Sequence, residues 1–76
     1  MAELLDYLAR RLVASPDHVR VETSEEDDAL VLLLHVAEED MGQVIGRHGR
    51  IARALRTIVR AGGAHEGRRV LLEITP

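Results

Sequence analysis

Residues 44–50 read Val44-Ile45-Gly46-Arg47-His48-Gly49-Arg50, and the chain continues Ile51-Ala52-Arg53-Ala54-Leu55-Arg56-Thr57-Ile58-Val59-Arg60-Ala61. Two glycines stand between two helical patterns. Ahead of them, Asp40 is a good N-cap and Gln43, three residues on, resembles a capping box, so a short helix is predicted over 41–45. Behind them a longer helix is predicted from about 50 to 61, with Gly62-Gly63 as its terminator. Glycine lets a bulky anionic chain approach the main chain and tolerates unusual φ values. The start of the second helix then offers N–H groups and a positive dipole end to an anion. On a helical wheel from Arg50, Arg53, Arg56 and Arg60 gather at about 240–300°, and Ala54, Ile58, Ile51, Leu55 and Val59 lie between about 40° and 180°. Most such arginine stripes are only the solvated side of an amphipathic helix. This one follows directly on two glycines and has no acidic residue at i±4 to pair with, which favours an anionic ligand.

Outward from this centre the elements are short and well punctuated. Leu4, Leu5, Leu8 and Leu12 recur at helical spacing, and Ser15-Pro16 stops the pattern, giving a first helix over about 2–14. Val19, Val21 and Thr23 alternate with polar residues as in a half-buried strand. Glu25-Glu26-Asp27-Asp28 reads as a charged turn. Ala29 to Ala37 is almost continuously apolar, which predicts a central strand covered on both faces. Leu30, Leu32, Leu34 and Val36 share one side of it, and Val31, Leu33 and Ala37 the other. Val70, Leu71, Leu72 and Ile74 form a last strand. The order is α-β-β-α-α-β, an α+β arrangement filling one domain over 1–76.

Composition narrows the function classes. The 76 residues include no Cys, which excludes a disulfide framework and a zinc–thiolate site. Tyr7 is the lone aromatic residue, which argues against a surface that stacks bases on aromatic rings. No apolar run reaches membrane-spanning length and no leader opens the chain, so a soluble cytoplasmic protein is expected. His18, His35, His48 and His65 have no ligand spacing, and neither a metal nor a cofactor is expected. A dinucleotide-binding loop needs G-x-G-x-x-G after a strand and a P-loop needs Gly-Lys-Ser/Thr; the chain has neither, and no Lys at all. Ser15, Ser24, Thr23, Thr57 and Thr75 belong to no activating arrangement, so an enzyme is not expected. The net charge of −3 hides an asymmetry. Residues 41–61 hold five Arg and no acid, a local +5, while five Arg and thirteen acids elsewhere leave −8.

Val44-Ile45-Gly46-Arg47-His48-Gly49-Arg50, set between two helices in this element order, resembles the KH signature V-I-G-x-x-G-[KR]. Over the whole chain the topology resembles the type II, prokaryotic arrangement, and the length and the run through Val59 are similar to the small bacterial KhpA proteins. The resemblance implies a three-stranded mixed sheet with three helices on one face. It also implies a groove between the G-x-x-G loop, the helices and the central strand that holds about four nucleotides of single-stranded RNA by their backbone. Carried onto this sequence, Gly46 and Gly49 give main-chain access. Arg47, His48 and Arg50 meet phosphates, and Arg53 extends the track. Val44, Ile45 and Ile51 form the apolar part of the groove. The sequence departs from the pattern where many KH domains carry Ile three residues after the second glycine; here that position is Ala52, and Ile51 precedes it. Arg56 and Arg60 lie farther from the loop and read as plain surface. Gly46→Asp together with Gly49→Asp is expected to abolish RNA crosslinking with the fold intact. The resemblance further implies an RNA chaperone in post-transcriptional regulation, a link to cell shape and peptidoglycan homeostasis, a homodimer, and a KhpB-type partner protein. The competing class is a protein-interaction module in which the fold serves dimer contacts and the basic loop is idle.

Overall fold

A computed structural model describes residues Met1–Pro76. Its elements are α1 (Ala2–Leu12), β1 (Arg20–Glu26), β2 (Ala29–His35), α2 (Met41–Ile45), α3 (Arg50–His65) and β3 (Arg69–Thr75), with single 3-10 turns at Pro16–His18, Glu38–Asp40 and Arg47–Gly49. The strand order is β1-β2-β3; β1 and β2 are antiparallel, and β2 and β3 are parallel. This is the three-stranded mixed sheet that the resemblance implies, with β2 at its centre.

Side-chain period decides which face carries the helices. Leu32 and Leu34 pair with Leu72 and Ile74, and with Val70 they form the sheet side of the core. Leu5 and Ala9 of α1, Val44 of α2, and Leu55 and Val59 of α3 close over it. The other parity faces away: Glu22, Leu33 and Glu73 lie in one row, Ser24, Val31 and Leu71 in the next. No helix covers this second face, so the expectation of a strand covered on both sides is corrected. Val31 is nevertheless buried, because its neighbours on both flanking strands shade it, while Leu33 is half-buried and Leu71 is 39% exposed. Glu22 accepts from Arg20 (3.0 Å) and lies 2.5 Å from His35 on the same face. These two hydrogen bonds, Arg20's first, hold the Glu22 carboxyl below its ordinary range.

β2 ends at His35, two residues short of the expected Ala37, and four further details differ from the sequence reading, each for a physical reason. Helix α1 ends at Leu12, because Val13 is already extended (φ −104°, ψ 160°). Glu25 and Glu26 continue β1, leaving Asp27-Asp28 as a two-residue turn with Asp27 at φ 52°, a left-handed value that Asp tolerates. Asp40 does not cap α2. Its carboxylate, 3% exposed, accepts the backbone N–H groups of Ala14 (3.2 Å) and Ser15 (3.1 Å) and so ties the end of α1 to the start of α2. Helix α3 runs through Gly62-Gly63 to His65. These glycines serve close approach: a Cβ on Gly63 would lie 2.4 Å from Val70 Cγ2 and 2.7 Å from the Arg68 carbonyl oxygen. The helix ends instead on Gly67 at φ 72°. There the N–H groups of Gly67 and Arg68 donate to the carbonyls of Ala64 (3.0 Å) and Gly63 (2.7 Å), the two bonds of a Schellman motif.

Candidate nucleic-acid interface

The loop between α2 and α3 is built by its left-handed residues. Gly46 sits at φ 77°, ψ 169°, a region essentially reserved for glycine. A Cβ there would meet Ile51 Cγ1 at 2.7 Å and the Ile51 backbone nitrogen at 2.9 Å. His48 (φ 58°, ψ 25°) and Gly49 (φ 72°, ψ 17°) follow in the αL region. Nothing lies within 4 Å of the position a Gly49 Cβ would take, so its front is open. The two glycines therefore do different things: Gly46 lets the loop turn under Ile51, and Gly49 keeps the start of α3 bare. This corrects the expectation for the double Asp substitution, since Gly46→Asp strains the fold itself.

Arg47, His48 and Arg50 are exposed around the loop. Arg53, also exposed, donates to the His48 carbonyl (2.8 Å), so it braces the loop as well as adding charge beside it. Ile45 is half-buried. Val44 is fully buried in the core, which removes it from any ligand-lining role. Ile51 packs partly against the core and turns toward α1. With Leu8, Leu12, Ala54 and Ile58 it lines an apolar cleft of about 340 Å³ between α1 and α3, with Arg11 and Arg50 at its edge. It is thus on the opposite flank of α3 from Arg56 and Arg60, and the expected apolar lining of Val44, Ile45 and Ile51 does not come together.

The flank that does carry the arginines faces β3. Arg53, Arg56 and Arg60, at i, i+3 and i+7, run down α3 from the loop. Arg56 and Arg60 then line a groove of about 500 Å³ with Arg69, Leu71 and Glu73 of β3. A second recess of about 460 Å³ shares Arg60 and Arg69 and extends it past Thr57 and Ala64 to Arg68. The strand bordering the groove is therefore the edge strand, not the central one. Its unpaired edge is met by Arg56, whose Nε donates to the Leu72 carbonyl (3.4 Å). Arg56 and Arg60, read from the sequence as plain surface, thus share one groove with Arg69, which no motif in the sequence singles out. On the helical wheel the first two lie in line with Arg53.

The partners of the charges sharpen the picture. The ion pairs join Arg10 to Asp6, Arg20 and His35 to Glu22, and Arg68 to Glu25. None of the five arginines of residues 41–61 has a carboxylate partner. The loop and the α3 flank thus present a cationic surface that the protein does not neutralise itself.

Comparison with known proteins agrees with this architecture. The family model described as "KhpA/KhpB, KH domain" matches residues 2–74. A protein of Clostridium acetobutylicum named RNA-binding protein KhpA is 46% identical over 74 residues, covering 97% of this chain and 99% of that one. A protein of the same name from Treponema pallidum is 50% identical over 72 residues, covering 95% and 90%. Among solved structures, a crystal structure of an Aquifex aeolicus Era variant bound to GDP and aluminium fluoride matches with a TM-score of 0.63 at 24% identity. It covers 96% of this chain and 28% of that one, a likeness of fold.

Proposed function

This chain belongs to the KhpA/KhpB family of KH domains, a binding family rather than an enzyme family, and on that premise we propose that it holds single-stranded RNA by its backbone along the G-x-x-G loop and the α3–β3 groove. The observation that carries the reading is the set of unpaired guanidinium groups at Arg47, Arg50, Arg53, Arg56 and Arg60. An arginine without a carboxylate partner retains its donors and its charge for a phosphate. Arg47 and Arg50 flank an open glycine, and Arg53, Arg56 and Arg60 run from it down α3, the last two lining a groove.

In this reading Gly49 lets the sugar–phosphate chain lie against the start of α3, and Arg47, His48 and Arg50 meet the phosphates there. Arg53 holds the loop in shape through the His48 carbonyl. Arg56, Arg60 and Arg69 continue the track, and Leu71 and the unpaired edge of β3 face the bases. With no aromatic platform in the groove, the backbone dominates affinity and base preference is modest. Such holding suits an RNA chaperone in post-transcriptional regulation, because strands bind and leave without a fixed sequence. The link to cell shape and peptidoglycan homeostasis rests on the family resemblance alone. No helix of the protein is long and apolar enough to cross a membrane.

A second reading, association with another copy of this chain or a KhpB-type partner, is favoured by the α1–α3 cleft. Leu4 (44%), Tyr7 (58%) and Ile58 (40%) are exposed on the same two helices. This surface is on the far flank of α3 from the arginine groove, so both uses are compatible. Sedimentation showing a strict monomer at high concentration would remove the homodimer.

The test of RNA binding is fluorescence anisotropy with a labelled single-stranded RNA and a duplex of the same length. The wild type is expected to prefer the single strand. Arg47→Asp with His48→Asp, two exposed positions of which the second tolerates Asp at positive φ, should abolish binding with the circular dichroism spectrum unchanged. Undiminished binding by that variant would overturn the proposal.

A further inference from the structure

One arginine beside the groove is neutralised by the protein itself. The recess that extends the α3–β3 groove runs beyond Arg60 and Arg69 to Arg68. Helix α3, 16 residues or about 24 Å long, separates Arg68 from the G-x-x-G loop. The Arg68 Nη2 donates to both carboxylate oxygens of Glu25. Glu25 belongs to β1, and its row continues through Leu30 of β2 to Val70 of β3. The Arg68 side chain, which leaves the chain just before β3, therefore reaches across β2 toward the far edge of the sheet. That direction is away from the free edge of β3 that borders the groove. Arg56, Arg60 and Arg69 form no such ion pair. Other charges at this end act in the same sense. Glu26, Asp27 and Asp28 share the hairpin with Glu25, Glu66 follows the last turn of α3, and all are exposed. The C-terminal end of the α3 macrodipole is negative there, whereas its positive end lies at the loop. Were Arg68 to turn from Glu25 to a phosphate, the carboxylate would remain nearby without a partner, so the exchange gains little.

We propose that Glu25 ends the phosphate track: by holding Arg68 it confines the single-stranded RNA footprint to the stretch from the loop to Arg60 and Arg69. The inference rests on the RNA-binding reading and deepens it. Glu25 touches no RNA and acts through Arg68. Its effect is read in the number of phosphates that the protein neutralises.

The experiment measures the affinity of labelled U10 over a salt series, by anisotropy, for the wild type and three variants checked for folding by circular dichroism. Glu25→Gln frees Arg68 for one more phosphate. It should steepen the slope of log K against log salt by about 0.7. It should also tighten binding about two- to fivefold, the range of one exposed charge pair. Glu25→Gln with Arg68→Ser removes both members of a neutral pair and should return slope and affinity to the wild type. Asp28→Asn removes a charge from the same hairpin without touching Arg68 and should keep the wild-type slope. An unchanged slope in Glu25→Gln overturns the inference. So does a steepening that persists in the double variant, or one that Asp28→Asn reproduces. A double variant with a slope shallower than wild type also overturns it, because Arg68 would then already meet a phosphate beside Glu25. Failure of the wild type to bind U10 overturns the RNA-binding reading itself.

Discussion

Replacing each loop glycine with alanine separates the shape of the loop from its use. At Gly46 the backbone lies at φ 77°, ψ 169°, where a residue with a Cβ carries about 1–3 kcal/mol of strain. The new methyl would also sit 2.7–2.9 Å from Ile51 Cγ1, Cβ and backbone nitrogen. Ile51 packs against the core and its nitrogen belongs to the first turn of α3, so neither moves freely. Overpacking of that kind adds about 1–3 kcal/mol. The sum, about 2–6 kcal/mol, is a large part of the roughly 4–11 kcal/mol typical for a chain of this size. At Gly49 the left-handed backbone costs alanine about 1–2 kcal/mol and no atom stands in the way. Urea unfolding followed by far-ultraviolet circular dichroism should therefore show Gly46→Ala losing at least about 2 kcal/mol and Gly49→Ala about 1 kcal/mol. A Gly46→Ala variant within about 1 kcal/mol of wild type, or a Gly49→Ala variant that loses more than it, refutes the division of labour between the two glycines.

The paired glycines of α3 make a second contrast. A Cβ on Gly62 meets only the flexible end of Met1, so Gly62→Ala should be neutral or gain up to about 1 kcal/mol of helix propensity, whereas Gly63→Ala should lose about 1–3 kcal/mol against Val70 and the Arg68 carbonyl; thermal melts of the two variants check the order. Asp40→Asn sets an amide where a buried carboxylate accepts two N–H groups, and should cost about 1–3 kcal/mol in a denaturant titration. Because Glu22 is held below its ordinary 4.5, its contribution to stability is present above that pH and disappears as the pH falls through its lowered value. Glu22→Gln should therefore flatten the acid side of a stability-versus-pH profile, by a small amount since the carboxylate is exposed.

Much of the fold is legible in local chemistry. The leucine spacing of α1, the alternation in β1, the apolar run of β2 and the punctuation at Ser15-Pro16 all act within a few residues, and the element order follows from them. What sequence reasoning misses comes from contacts across the chain. Asp40 looks like a cap because caps are local, yet its partners, Ala14 and Ser15, lie some twenty-five positions away. Gly62-Gly63 looks like a stop because the need for a bare position opposite Val70 exists only once β3 returns. The same holds at the site. Gly46, Arg47, His48 and Gly49 stand where the motif puts them. Val44 and Ile51, which the resemblance puts in the groove lining, go elsewhere: burial takes the first into the core and the helical rotation takes the second to the α1 side. Arg69 and Leu71 join the groove only through the parallel pairing of β3 with β2. No pattern within β3 foretells which of its edges stays free.

The central claim is that phosphates dock on the unpaired arginines of the loop and α3, and the salt dependence of affinity tests it most directly. Each phosphate neutralised on a single strand contributes about 0.7 to the slope of log K against log salt. Four contacts predict a slope of about −3 for the wild type, reduced by about 0.7 each in Arg47→Ser and Arg60→Ser. A slope near zero, or the wild-type slope retained in both variants, contradicts the account.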